Sequence, residues 1–525
     1  MRFQVLVLAS LLATPACLPA GEPPTGQQIW AGRDRTLVGV LPVRSPDDGI
    51  TRVLSFRQGT ASNLGTELSL LSRAPSGAVA DEVLQERWTC SGLPPCIGID
   101  HQGGVYVSSL SPEPPLDFFA NLTRIDLDTH QRVEFGVVAQ YAFSASNRRV
   151  AVSLGRLGNA EQIVRVIEAD GVSSLDLAPA RAPTFVGEDL YFIGEGKILS
   201  RLGGGSTSPE VVRTGVDSFT VLWSTRGPRL LLHVPSIDGR TMGTAALLDP
   251  ATGDERSLVL GWDTSLSSDG RWAVTRGPDL NSRRTFTLAD LTTETDELFE
   301  LPVDVNDAEW RPGHTEVWLR TTNWDGQATF IKEPGKPLRE VPAIVAAYAA
   351  GENTTIFNRD GSRFYLVAPP DGATPPTVFA GDADDPSGTR LPLNPPGTRF
   401  SQHRELTDGR LVIEAFYVGG DRNDIYLVDP RDGATRLLGK DGGVVATGAT
   451  RIIAMTHRVD QAGDLEVIQL DGGGAVPLAK EFARTPYLQP PLGDEDPTRP
   501  GTKIVYQFRA RFPSPYDGFW LTDLP

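Results

Sequence analysis

The stretch from Asp263 to Leu301 reads DTSLSSDGRWAVTRGPDLNSRRTFTLADLTTETDELFEL. It holds three short β patterns. Arg271 to Arg276 follows the turn Ser268-Asp269-Gly270. Thr285 to Leu291 comes next, and Glu297 to Leu301 follows the polar turn Thr292 to Asp296. Trp272 and Val274 share one side of the first pattern, Phe286 and Leu288 one side of the second. A period of two between turn signals marks half-buried strands. Such a unit cannot bury its apolar side alone, so the chain must supply neighbours for it to stack on.

The neighbours are visible as a repeat. The turn before the second strand recurs at Gly49, Gly104, Asn147, Gly187, Gly227, Gly270, Gly313, Gly361, Gly409, Gly448 and Gly501. Most adjacent anchors lie 39 to 48 residues apart. A four-stranded propeller blade takes about 40–45 residues. A second signature follows each turn: an apolar strand, a small polar turn, another strand. Leu122 to Phe135, Ala246 to Leu260, Ile425 to Leu438 and Leu465 to Ala479 are examples. Asp followed by a small residue suits the tight hairpin between outer strands. Helical periodicity is lacking; the best candidate, Pro342 to Gly351, is short and reads equally well as an inner strand.

Ser268-Asp269-Gly270-Arg271 and Leu248-Asp249-Pro250-Ala251-Thr252-Gly253 are similar to the TolB-like branch of the WD-type propeller repeats. Arg359-Asp360-Gly361-Ser362 and Thr407-Asp408-Gly409-Arg410 match less closely. The resemblance covers roughly residues 90–490. It implies an all-β fold, a β-propeller of four-stranded antiparallel blades, and it is nearly silent on function because the motif is turn chemistry. TolB itself carries an N-terminal α/β domain, and Gln28 to Trp88 has no helical pattern to supply one. Eleven anchors exceed the usual 4–8 blades. The expectation is a ring of about 8–10 blades over residues 31–525, with two smaller propellers as the alternative. The last unit ends in the third-strand pattern Gly518 to Pro525. Arg35 to Val43 is a spare strand at the other end, expected to complete the final blade and close the ring.

The N-terminus reads as an address. Met1-Arg2 is a brief positive start, Phe3 to Ala13 is mostly apolar, and Thr14-Pro15-Ala16-Cys17 follows. The run is too short to span a bilayer and long enough for a secretory signal. Residues 1–17 resemble a bacterial lipoprotein signal, which implies lipidation of Cys17; Thr14 stands where such signals usually carry Leu. Ordinary secretion, giving a soluble periplasmic or secreted protein, is the alternative. Residues 18–30 hold three prolines and little apolar content, as a flexible tether would. With Cys17 acylated, Cys90 and Cys96 remain as an even pair, and an oxidising compartment makes them an expected disulfide, with half of a metal site beside His101 as the alternative.

The net charge of −17 lacks the basic footprint that nucleic acid or an anionic membrane requires. No Gly-x-Ser-x-Gly elbow, His-Glu-x-x-His or phosphate-cradling loop occurs. His101, His130, His233, His314, His403 and His457 fall in different units. Asp382-Ala383-Asp384-Asp385 and Asp494-Glu495-Asp496 lack the spacing of a calcium loop, so solvated loops are the plain reading and calcium the sharper one. No catalytic, cofactor-binding or metal residue stands out. The sequence points to a non-enzymatic, monomeric envelope lipoprotein whose propeller binds a protein, peptide or glycan. The alternative is a channel-sited enzyme such as a glycan lyase or hydrolase, assembled from separate blades. A cluster of His, Arg and acidic groups at one mouth of the channel would favour the enzyme.

Overall fold

The structure is a computed structural model. It describes residues 24–31, 35–40, 51–58, 66–74, 76, 78–88, 97–99, 104–110, 120–126, 129, 131–154, 162–168, 173–234, 244–258, 264–276, 284–293, 295–305, 307–320, 328–341, 357–368, 377–395, 398–417, 423–459, 462–488, 496, 498–510 and 514–525. Within them the chain is all β, with one short 3-10 turn at Glu195–Lys197 and no α-helix. No helix there is long and apolar enough to cross a membrane.

The opening stretch folds as read. Thr264–Leu266, Trp272–Arg276, Thr285–Asp290 and Asp296–Glu300 form a four-stranded antiparallel meander. The outermost strand alternates exposed and half-buried residues, while Ala273, Val274, Phe286, Leu288 and Ala289 of the middle strands are buried. Middle strands covered on both faces read as continuous apolar runs, which is what stacking between two neighbours produces.

Eight of the anchors, Gly104, Asn147, Gly187, Gly270, Gly313, Gly409, Gly448 and Gly501, lie between the first and second strands of such a unit, Gly227 opens a second strand, Gly361 lies between the bridged residue Phe357 and the strand Arg363–Ala368, and Gly49 is outside the described residues. Six described sheets have four strands and one has three. Each of two seven-stranded sheets is a pair of meanders sharing one long strand. Arg132–Phe143 pairs with Ala120–Ile125 through its first half and with Val150–Leu154 through its second. Ala475–Leu488 pairs in the same divided way with Ala462–Gln469 and Lys503–Phe508.

Units pack face to face in chain order. Val274, Phe286 and Leu288 meet Trp310, Val317, Leu319 and Phe330 of the Gly313 unit. Trp318 and Ile331 on the other face of that unit meet Phe357 and Phe364 of the next. Burying a side chain of this size contributes roughly 1.5–3 kcal/mol. The last unit packs on the first: Val505 and Phe519 share a cluster with Val53 and Leu71, and Ile29 lies between them.

Ile29 belongs to the strand that completes the last sheet, and it corrects the expectation drawn from the sequence. Gln27–Ala31 pairs antiparallel with Gly518–Asp523. Arg35–Val40 instead opens the first sheet, paired with Thr51–Gln58. Residues 24–31, expected as the end of a tether, are therefore held by the last sheet and its neighbours. Tyr506 Oη donates to Thr25 O (2.7 Å), Thr25 N donates to Leu478 O (3.0 Å), and Gln28 Nε2 reaches Asp517 O (3.1 Å). Five residues with two large apolar side chains gave too weak a pattern to outrank Arg35 to Val43. Contacts supplied by the far end of the chain decide the pairing.

The anchor turns are tied to one another. Eight anchors take the left-handed region, Asn147 (φ 55°), Gly270 (φ 65°) and Gly361 (φ 73°) among them. Ala145 N bonds to Gly187 O (3.0 Å), Thr225 N to Ser268 O (2.9 Å) and Gly313 N to Ser268 Oγ (3.2 Å). Arg311 Nε bonds to Gly361 O (2.6 Å) and Arg359 N to Glu405 Oε2 (2.9 Å). Third strands end beside this rim in aspartates that cap their own turns: Asp249 Oδ1 accepts from Ala251 N (2.8 Å), Asp290 Oδ1 from Thr292 N (2.9 Å) and Asp429 Oδ1 from Arg431 N (2.9 Å). One end of the units is thus closed by turn chemistry.

Candidate functional site

The opposite end, where first strands begin and second strands finish, carries the polar side chains that no turn uses. A polar residue stands last or next to last in the second strand of three consecutive units: His233 in Gly227–Val234, Arg276 in Trp272–Arg276 and Arg320 in Val317–Arg320. Antiparallel pairing sets first-strand residues opposite these ends. Ser218 is the partner of His233, Thr264 of Thr275, and Asp307 of Arg320.

A cavity of ≈ 440 Å³ opens there, and His233, Thr264, Ser265, Arg276 and Asp307 line it. Its floor is apolar, from Leu231, Val274 and Phe286. Small-ligand sites typically occupy about 300–1,000 Å³ and combine an apolar floor with a few placed polar groups. Thr264 Oγ1 and Thr275 Oγ1 are 3.2 Å apart. Trp310 Nε1 donates to Ser265 O (3.2 Å) and fixes the Gly313 unit against the Gly270 unit. The Ser265 hydroxyl is buried and makes no hydrogen bond.

Charge at the site is arranged in layers. Arg320 is 1% exposed, and its Nη2 bonds both Asp307 and Glu309, the latter at 3.0 Å. Residues two apart on a strand face the same way, so one guanidinium gathers both carboxylates. Burial holds the His233 imidazole below the ordinary histidine value, against a smaller opposing pull from Asp217. The ring is neutral near pH 7, able to donate one hydrogen bond and accept another. The cavity is therefore lined by a guanidinium at Arg276, a carboxylate at Asp307 that Arg320 already pairs, and a neutral ring at His233.

Of the residues singled out from the sequence, His233 alone falls in this cavity, within the strand assigned to it. Cys17, Cys90, Cys96, His101 and His130 lie outside the described residues. His314 and His457 are exposed elsewhere, and His457 Nδ1 lies 2.9 Å from Asp464 Oδ2. His403 packs against the Tyr365 ring, centroids 5.5 Å apart. Asp494 and Glu495 lie outside the described residues, and Asp382, Asp384 and Asp496 of the acidic loops are hydrogen-bonded. Asp382 Oδ1 accepts from Asp384 N (2.9 Å), Asp384 pairs with Arg311 (2.7 Å), and Asp496 Oδ1 accepts from Thr498 N (2.8 Å). Among the described residues no three His, Cys, Asp or Glu converge as metal ligands would. Arg276, Asp307 and Arg320 were missed. For Arg276 and Arg320 the signal was present, a polar residue ending the apolar second strand six residues after Gly270 and seven after Gly313, whereas Asp307 opens a first strand and carries no such mark.

No known family profile matches the chain, and no curated protein matches it. Solved structures do. The tricorn protease is 13% identical at a TM-score of 0.29, over 93% of this chain and 55% of its own, so the chain spans about half of that protein's length. The β-propeller domain of the Trilobed protease from Pyrococcus furiosus is 14% identical at a TM-score of 0.30, over 64% of this chain and 95% of its own. An oligogalacturonate lyase in complex with manganese is 12% identical at a TM-score of 0.29, over 59% of this chain and 99% of its own. Likeness this weak says nothing about what the present chain does.

Proposed function

We propose that the chain is a β-propeller of the bacterial cell envelope that binds a polar ligand in the cavity beside His233, Arg276 and Asp307. In this reading the units close into one ring, the last sheet taking its outer strand from Gln27–Ala31, and a lipid on Cys17 holds the ring at a membrane. The observation that carries the reading is a cavity of ligand size built from three successive units at the end opposite the anchor turns. The unbonded Ser265 hydroxyl at its wall supports it.

The test is a melting-temperature screen of the purified chain against envelope glycan and peptide fractions, repeated with Arg276→Gln. A bound ligand raises the melting temperature by mass action. The reading expects a shift for wild type that Arg276→Gln diminishes. A shift of equal size in the variant would place the ligand elsewhere. Labelling with a lipid precursor, compared with Cys17→Ala, tests the anchor.

A second reading is favoured by one observation. A histidine, an arginine and an aspartate share the cavity, as they would in an enzyme whose site is assembled from separate blades. Its neutral His233 would act as general base. Turnover of a bound ligand, abolished in His233→Gln while binding persists, would establish it.

A further inference from the structure

A second cavity, ≈ 520 Å³, lies at the same end of the preceding two units. Gln140, Ser153, Gln162, Arg181, Glu195 and Lys197 line it. Arg181 lies where a first strand begins, Ser153 where a second strand finishes, and Gln162, Glu195 and Lys197 where the chain turns into third strands at the same end. The backbone around it is shaped away from regular strand. A bulge interrupts the pairing between Arg181 and Thr184, and Ala182 (φ 53°) and Lys197 (φ 63°) take the left-handed region. Bulges re-aim side chains, and backbone held in sparsely populated regions gathers at ligand sites.

One residue bonds to lining residues of both cavities. Lys197 Nζ lies 3.1 Å and Arg181 Nη2 3.6 Å from Asp217 Oδ1, and Arg181 Nη2 also donates to Asp217 O (3.0 Å). Asp217 N donates to His233 O (2.8 Å). A single aspartate thus joins cationic walls of the second cavity to the histidine of the first.

Resting on the site proposed above, we infer that the two cavities are consecutive subsites for one linear, hydroxyl-rich ligand, an oligosaccharide, lying across Asp217. Both linings mix donors and acceptors: threonine, serine and histidine in one, glutamine and serine in the other. Hydroxyl groups, which donate and accept together, match such a lining. A peptide binding by strand addition needs an open sheet edge, and this end presents strand ends instead.

Titration calorimetry with linear oligosaccharides of one to six sugars, one series neutral and one carrying a carboxylate on each sugar, tests the inference beside random peptides of equal length. Affinity rises about ten- to hundredfold with length in at least one sugar series, as a second set of hydrogen bonds is added. Arg181→Gln, at a half-exposed position, weakens only the longer members, by about tenfold. Arg276→Gln weakens every member, and Lys336→Gln, exposed elsewhere, changes nothing. Melting temperatures of the variants establish that each is folded. Length-independent affinity, or long sugars indifferent to Arg181→Gln, overturns the shared groove and leaves the first cavity's role intact. Binding of peptides alone, or of neither class, overturns the oligosaccharide. Sugar binding indifferent to Arg276→Gln overturns the site proposed above as well.

Discussion

Gly361→Ala and Gly409→Ala make a matched pair that asks whether the anchor turns truly touch. Both glycines are left-handed, at φ 73° and 82°. At Gly409 an added Cβ meets nothing within 4 Å. The cost there is the left-handed penalty for a residue with a Cβ, about 1–2 kcal/mol, offset by the smaller unfolded-state entropy of alanine, about 0.4–1 kcal/mol. A net loss of about 1 kcal/mol follows. At Gly361 the Cβ would overlap the Pro312 carbonyl oxygen outright and come within 3.3 Å of Arg311 Cγ. Backbone cannot swing aside as a side chain can. The Gly361 turn would have to withdraw, loosening the bond from Arg311 Nε to Gly361 O, whose donor is 3% exposed. Stranding a buried charged donor costs about 1–3 kcal/mol or more. Gly361→Ala is therefore expected to cost about 3–4 kcal/mol, some three times the loss at Gly409. Gly270→Ala is the internal control. Its Cβ would overlap Ser224 Oγ, a side chain, so Ser224→Ala in the same chain should recover part of the loss. Denaturant midpoints at constant slope measure all of these. Equal losses at Gly361 and Gly409 would refute the reasoning, because the two positions differ only in the neighbouring turn.

Two further predictions concern charge. Arg320→Met leaves Asp307 and Glu309 without their shared cation; breaking a buried pair costs about 3–5 kcal/mol, and since Asp307 is 39% exposed and water relieves part of this, about 2–3 kcal/mol is expected by chemical denaturation. Adding Asp307→Asn and Glu309→Gln should restore most of it. Stability should also fall on mild acidification. Burial holds His233 and His403 below their unfolded value of about 6.5, so below that pH the unfolded chain binds protons that the folded chain refuses, and stability drops between about pH 7 and 5. His403→Gln should flatten that slope. A second loss follows below about pH 4, where Asp290, held well under the usual carboxylate range by its bond from Arg271, begins to protonate in the unfolded chain.

Turn chemistry made most of the fold legible. Asp-Gly and Asn signals sit where a left-handed residue is required, and the rule that supplies glycine there is local. Asp249, Asp290 and Asp429 were readable for the same reason, since each caps a turn two residues on. The closing strand was not. Gln27–Ala31 has no periodicity to speak of, and its partner lies at the other end of the chain. The cavity was half legible. His233 could be placed in its strand, but Arg276 and Asp307 belong to different units, and only stacking brings them together. Asp217 carries no motif, and its bonds to Arg181 and Lys197 come from another unit, which no spacing rule announces.

The central claim is that the last sheet borrows its outer strand from the N-terminus. Register makes Gln27 the partner of Leu521, and paired Cα atoms about 4.5–5.5 Å apart fall within disulfide range. The direct measurement is mass-spectrometric mapping of the oxidised Gln27→Cys/Leu521→Cys chain, beside a Thr36→Cys/Leu521→Cys control. The account predicts that the two introduced thiols link in the first chain and stay unlinked in the second. Linkage in the control alone would hand the last sheet to Arg35–Val40, and linkage in neither would leave the units without circular closure.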